Sequence, residues 1–194
     1  MKLFTILSLL ILILGCQHNG SIELQDDEIV TRHFNESEIT YLQSVLKFID
    51  SEIRQFSTEG SLLEDKYHNF FEGMKYQSEI DPYGELAKFD LNKLGLILSD
   101  IPESFLDEIW YQHSVSPESE VSLNHAGRFA RFIQEAAKSN PFLKEYFDTL
   151  EYTGGISPSM YASVLMKPEE IDLRLERERL ILAVHYITVM KKAL

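Results

Sequence analysis

Apolar positions recur at alternating spacings of three and four through most of the chain. Ile39, Leu42, Leu46, Ile49, Ile53 and Phe56 trace one stripe on a helix, as packing against neighbours requires. Asn35 with Glu38 three residues on forms a capping box that predicts where this helix starts. Gly60 ends it, and Ser61 with Glu64 opens a second helix carrying Leu63, Tyr67, Phe70, Phe71 and Met74. Asp81-Pro82-Tyr83-Gly84 reads as a turn. In residues 85–99, Leu91, Leu94, Leu96, Ile97 and Leu98 fit a short helix or a buried strand. Helix is preferred, because no second strand candidate stands out. Asp100-Ile101-Pro102-Glu103 starts a helix with proline in its first turn, leading Phe105, Leu106, Ile109 and Trp110.

Residues 114–120 are a polar break. From about Val121 a further helix carries Phe129, Phe132, Ile133 and Ala136. Asn140-Pro141 begins another, with Leu143, Tyr146, Phe147 and Leu150 inward and Gly154-Gly155 closing it. Ser157-Pro158 opens a short helix, Lys167-Pro168 breaks the chain, and a last helix runs from about Glu169 to Lys192. No internal repeat or low-complexity linker interrupts residues 35–194. The pattern predicts an all-α domain, bundle-like, of about seven or eight helices.

The start of the chain obeys a different rule. Met1-Lys2 precedes an almost unbroken apolar run over residues 3–14. As a helix this run spans ~18 Å, short of the ~30 Å hydrocarbon core, so it reads as a secretory signal. Ile13-Leu14-Gly15-Cys16 resembles the lipobox of bacterial lipoproteins. The resemblance implies cleavage before Cys16, leaving residues 1–15 as the signal peptide, and diacylation of the Cys16 thiol. Cys16 is the only cysteine of the chain. An exported domain that used its oxidising compartment would show paired cysteines, so a lone one behind the apolar run has its use as an acylation site. The implied location is the bacterial cell envelope, with acyl chains on Cys16 as the membrane contact, each buried methylene contributing about 0.8 kcal/mol. Gln17, where a retained lipoprotein would carry Asp, favours the outer over the inner membrane by the enterobacterial sorting pattern. Residues 16–34 are polar with no sustained period and read as the lipidated cysteine and a flexible tether, with a reach of roughly 20 Å.

Charge narrows the partners. Eighteen Lys+Arg stand against 31 Asp+Glu, a formal net charge of −13. Such a surface lacks the basic footprint of nucleic-acid binding, and anionic lipid head groups repel it. It suits a soluble domain, a basic protein partner or divalent cations.

Candidate chemistry is sparse. Di-iron bundles need Glu-x-x-His on two helices, and the chain has none. The nearest pattern is Asp65-Lys66-Tyr67-His68, which reads as a surface ion pair or an exposed polar face. His-Glu-x-x-His and the Gly-x-Ser-x-Gly elbow are absent. The histidines His33, His68, His113, His125 and His185 are scattered, and His185, among apolar neighbours, reads as a satisfied core residue. No catalytic residue, metal ligand or cofactor is assigned. The one locally basic, aromatic stretch is Asn124-His125-Ala126-Gly127-Arg128-Phe129-Ala130-Arg131-Phe132. Its His125, Arg128 and Arg131 are candidate contacts for an anionic ligand or a partner's acidic patch, against pairing with the chain's own acids. Gly154-Gly155-Ile156-Ser157-Pro158-Ser159 combines small residues with a helix start, which fits anion capture or plain punctuation. In residues 169–179, Glu170–Arg174 and Arg174–Glu178 have i,i+4 spacing on a solvated face whose inward side is Leu173, Leu180 and Val184.

The expected function is a non-enzymatic, lipid-anchored envelope module that binds a protein or cell-wall partner. Two alternatives stand beside it. Phe70, Phe71, Trp110, Phe129, Phe132, Tyr146 and Phe147 could line a pocket for an apolar small ligand, or simply be core. A cell-wall hydrolase using an unassigned pair of carboxylates is the other.

Overall fold

The computed structural model describes residues 22–55, 62–77, 86–112, 121–155 and 167–193. Cys16 lies outside them, as do Gly60, Ser61, the 81–84 turn and the 157–166 helix expected from sequence.

Eight α-helices and one two-stranded sheet are present among the described residues. The helices are α1 (Glu28–His33), α2 (Glu36–Gln55), α3 (Leu63–Gln77), α4 (Leu91–Ser99), α5 (Glu103–Leu106), α6 (Arg128–Ala136), α7 (Pro141–Thr153) and α8 (Glu176–Ala193). The strands β1 (Trp110–Gln112) and β2 (Val121–Leu123) pair antiparallel, with Trp110 opposite Leu123. The all-α reading holds, with the small hairpin as an addition to it.

Several predicted starts rest on the side chains that suggested them. Asn35 and Glu38 exchange hydrogen bonds, the Glu38 N–H donating to Asn35 Oδ1 at 3.0 Å and the Asn35 N–H to Glu38 Oε2 at 2.9 Å. Asn140 Oδ1 accepts from the N–H groups of Phe142 and Leu143, with Pro141 in the first turn, and Gly154 closes α7 at φ 67°. The ambiguous segment resolves as helix α4, where Asp90 Oδ1 accepts from the Lys93 N–H. Buried Glu52 of α2 accepts the Asp90 N–H at 3.1 Å and so fixes where α4 begins. Gly95 sits exposed in the middle of α4, and a Cβ there would meet nothing within 4 Å. Gly95→Ala should therefore stabilise the fold by about 0.5–1 kcal/mol, because alanine loses less backbone freedom on folding. Urea unfolding would show it as a higher midpoint with unchanged slope; an unchanged midpoint would mean α4 is frayed at Gly95.

Three expectations need correction. The first concerns the tether. Residues 22–34 belong to the folded body and are not a tether. Leu24 and Val30 are completely buried and Phe34 nearly so, and Asp27 caps α1 by accepting from the Ile29 and Val30 N–H groups. The few apolar side chains of this polar segment each find the core, which anchors it despite its lack of period.

The second concerns residues 105–123. Helix α5 ends at Leu106, the chain turns, and Trp110 enters β1; Val121, expected to begin a helix, enters β2. Helix α6 waits until Arg128, because Asn124 and Gly127 build a turn first. In that turn the Ala126 N–H donates to Asn124 Oδ1, and the Gly127 N–H donates to the Asn124 carbonyl.

The third concerns the last helix. It starts at Glu176, after a 3-10 turn at Pro168–Glu170, so the i,i+4 pairs expected of Arg174 do not form. Arg174 instead grips Asp172 in two hydrogen bonds of 2.8 Å, and this contact holds the Asp172 carboxyl below its usual range. Nor is α8 a surface helix. Every residue from 178 to 190 is buried, as expected of a helix apolar on all sides. It is the axis around which the others pack. Phe70 of α3 meets Tyr186 edge-on at 5.4 Å, His185 meets Tyr146 of α7, and Trp110 Nε1 donates to Thr188 Oγ1 at 2.7 Å. Thr188 in turn donates to the Val184 carbonyl, so both polar ends of this contact are satisfied inside the core.

Candidate functional site

The turn leading into α6 gathers the basic residues singled out from sequence. Asn124 Nδ2 donates to the Asp107 carbonyl at 2.7 Å, which ties the turn to the end of α5. At Gly127 an added Cβ would stand 2.3 Å from the Glu108 carbonyl oxygen, so only glycine permits this approach. The close approach has a purpose. The Phe129 N–H donates to that same carbonyl, and the Arg128 N–H donates to Glu108 Oε2 at 2.9 Å. The positive end of α6, where an external anion would bind, is thus filled by the chain's own carboxylate.

Arg128 turns away from solvent. Its guanidinium takes Glu38 in a bidentate pair at 2.7 and 2.9 Å and lies 5.8 Å from the Phe34 ring and 5.7 Å from the Phe105 ring. Glu38 therefore serves both the cap of α2 and the start of α6. Arg131 is more than half exposed, donates to the Ala126 carbonyl at 2.7 Å, and stands 3.9 Å from Glu108. His125 is exposed, with Nδ1 3.2 Å from the Tyr111 hydroxyl. The structure thus separates the three candidates. Arg128 is a packing residue, while His125 and Arg131 share the solvent side of one turn.

A second polar group lies at the head of α8, and sequence reading missed it. Arg177 Nη1 donates to Asp27 Oδ2 at 2.7 Å, where both side chains are largely buried. Arg179, 5% exposed, donates to the Leu173 carbonyl at 2.6 Å and stands 3.4 Å from Asp50 and from Glu176. Tyr67 donates to Asp50 Oδ1 at 2.7 Å, and burial raises the Tyr67 pKa well above its ordinary value. Glu176 Oε2 accepts the Leu24 N–H at 3.0 Å, the Glu176 N–H donates to the Ile22 carbonyl, and Ile22 bridges Leu175 in parallel. These contacts fasten the first folded residues to the last helix. Sequence carried one signal for them: Arg177 and Arg179, two residues apart, cannot share a helix face, and the helix that follows is apolar.

Other chemistry finds little support. Among the described residues no group of three or more His, Cys, Asp or Glu could hold a metal ion. His68 is exposed on α3. The aromatic residues considered as a pocket lining are all buried, and two pairs of them pack ring against ring, Phe70–Phe71 at 6.1 Å and Phe129–Phe132 at 5.3 Å between centroids. Between α7 and α8 the cleft lined by Phe142, Tyr146, Glu178 and His185 encloses about 10 Å³, the space of one water and far below what a small-molecule ligand needs. His185 is 1% exposed, and its Nδ1 lies 3.1 Å from the Tyr146 hydroxyl. Burial pushes its pKa down to about 3, so it is a neutral core histidine. Among the described residues no helix is long and apolar enough to cross a membrane. Comparison with protein-family models, with curated proteins and with solved structures gave no match.

Proposed function

We propose that this chain is a lipid-anchored protein of the bacterial envelope, held by acyl chains on Cys16. Its helical body serves as a non-enzymatic binding or accessory module. The observation that carries the reading is the lone Cys16 behind a short apolar run, in Ile13-Leu14-Gly15-Cys16. Two features of the body support it. Among the histidines and arginines considered for chemistry, three are spent on internal contacts: Arg128 on Glu38, His33 on Glu135 and His185 on Tyr146. The surplus of acids, net −13 over the chain, favours a partner with a basic face.

Crosslinking in cells, with mass spectrometry of the captured proteins, tests this. The control is Cys16→Ser protein exported through an ordinary cleavable signal. Wild type should capture one envelope protein in stoichiometric amount, and the untethered form should capture less of it. Empty captures from both forms would contradict the binding-module reading.

A further inference from the structure

The head of α8 and residues 22–27 are one unit, and this unit lies close to Cys16 in sequence. Ile22 is bridged to Leu175, Leu24 is bonded to Glu176, and Asp27 is paired with Arg177. Only five residues, Gln17 to Ser21, separate Cys16 from Ile22. Six virtual bonds fully extended reach about 20 Å, an upper bound on the Cys16–Ile22 distance in any conformation. This leash is much shorter than a tether running to residue 34 would be.

Helix α8 runs away from this point. Thr188 lies about 16 Å along its axis from Arg177. There Trp110 of β1 bonds to Thr188 and pairs with Leu123 of β2, two residues before the exposed His125. The hairpin and the turn that follows it therefore sit toward the opposite end of the molecule.

We infer that the end of the domain formed by Ile22, Gln25 and the first turn of α8 faces the lipid bilayer within about 20 Å of its surface, and that the hairpin turn bearing His125 faces away. This rests on the lipid anchor at Cys16. The occupant of the near face is the membrane surface itself, because the acylated Cys16 is only six residues from Ile22 in sequence. The near face does not adsorb to lipid. Glu23, Asp26 and Glu28 are exposed on it, and anionic head groups would repel them. Orientation comes from the short leash and its clasp onto α8. The consequence is that a partner meets the hairpin end first.

Nitroxide labels at Gln25→Cys and at Ala126→Cys, both exposed positions, test the orientation. Cys16 is the only native cysteine, so in lipidated protein each label goes to the introduced thiol. The protein is reconstituted into phosphatidylcholine vesicles containing a lipid whose head group chelates Ni(II), and spin relaxation is read at each position. Relaxation enhancement should be several-fold larger at position 25 than at position 126. The gradient should collapse when about twenty Gly/Ser residues are inserted between Gly20 and Ser21, which raises the extended reach about fourfold. Equal enhancement at both positions, in protein that floats with the vesicles, would overturn the inference while leaving the anchor intact. If wild type fails to float and behaves as Cys16→Ser protein does, the anchor reading fails and the orientation falls with it.

Discussion

Methionine in place of Arg179 is expected to remove about 3–5 kcal/mol of folding free energy, the range for breaking a buried ion pair from one side. The guanidinium is 5% exposed and serves three acceptors at once: the Leu173 carbonyl, Asp50 and Glu176. Methionine fills similar space with nothing to donate. Asp50 would keep the Tyr67 hydroxyl at 2.7 Å and lose its cation, while the Leu173 carbonyl would lose the Nη1 donor. An unpaired buried carboxylate costs far more than the attraction it once made. Urea unfolding should show a lower midpoint at unchanged slope. Asp50→Asn combined with Arg179→Met should cost less than the sum of the two single changes, because each removes the other's liability. A single-variant loss under about 1 kcal/mol would mean that the head of α8 is solvated, as an exposed pair would be.

The second large effect is an acid weakness set by His185. Its folded pKa, about 3, lies below the ordinary 6.5 because burial disfavours the charged ring. Above pH 6.5 both folded and unfolded chains hold it neutral, and it adds no pH dependence. Below 6.5 the unfolded chain takes up a proton that the folded chain refuses. Stability therefore falls as pH drops from 6.5 toward 3, by about 1.4 kcal/mol per unit. Between pH 6.5 and 5 the loss should reach about 2 kcal/mol. Glu178 works in the opposite sense, its pKa raised by burial so that acid relieves its charge inside the fold. Asp172, held low by Arg174, adds to the acid loss instead. Replacing His185 and Tyr146 together by phenylalanine removes the ring and the hydroxyl beside it. That pair of changes should flatten the stability profile between pH 6.5 and 5. A profile unchanged in the double variant would assign the acid loss to another group.

What could be read from sequence followed from how many residues agreed with one another. Helix α2 was legible because Ile39, Leu42, Leu46, Ile49 and Ile53 repeat over about four turns, and all five are buried. The starts of α2 and α7 were legible because Asn35 with Glu38, and Asn140 with Pro141, do a local job that needs no tertiary context. The hairpin was not, since three-residue strands are too short to show alternation against a helical background. Residues 22–34 were missed for a related reason. A six-residue α1 supplies Val30 and Phe34 to the core but no repeating stripe, and Asp27, which looks solvated in sequence, is buried by Arg177.

The last helix misled in another way. Leu173, Leu180 and Val184 suggested one inward face, but Leu173 precedes the helix, and Ile181, Leu182, Ile187 and Val189 bury the remaining sides of α8. A pattern without amphipathicity was the sign of a central helix. Of the candidate contacts, Arg128 was recognisable as basic, but its distant partner Glu38 was not. That pairing spans ninety residues of chain and depends on the fold bringing α2 and α6 together.

Everything said about orientation and partner presentation depends on the chemistry at Cys16, and the intact mass of the protein extracted from bacterial membranes tests that directly. The chain is expected to begin at Cys16 and to carry the added mass of acyl chains, with the Cys16→Ser variant left uncut or released from the membrane. A native chain that retains residues 1–15, or that begins at Cys16 with no added lipid mass, would contradict it.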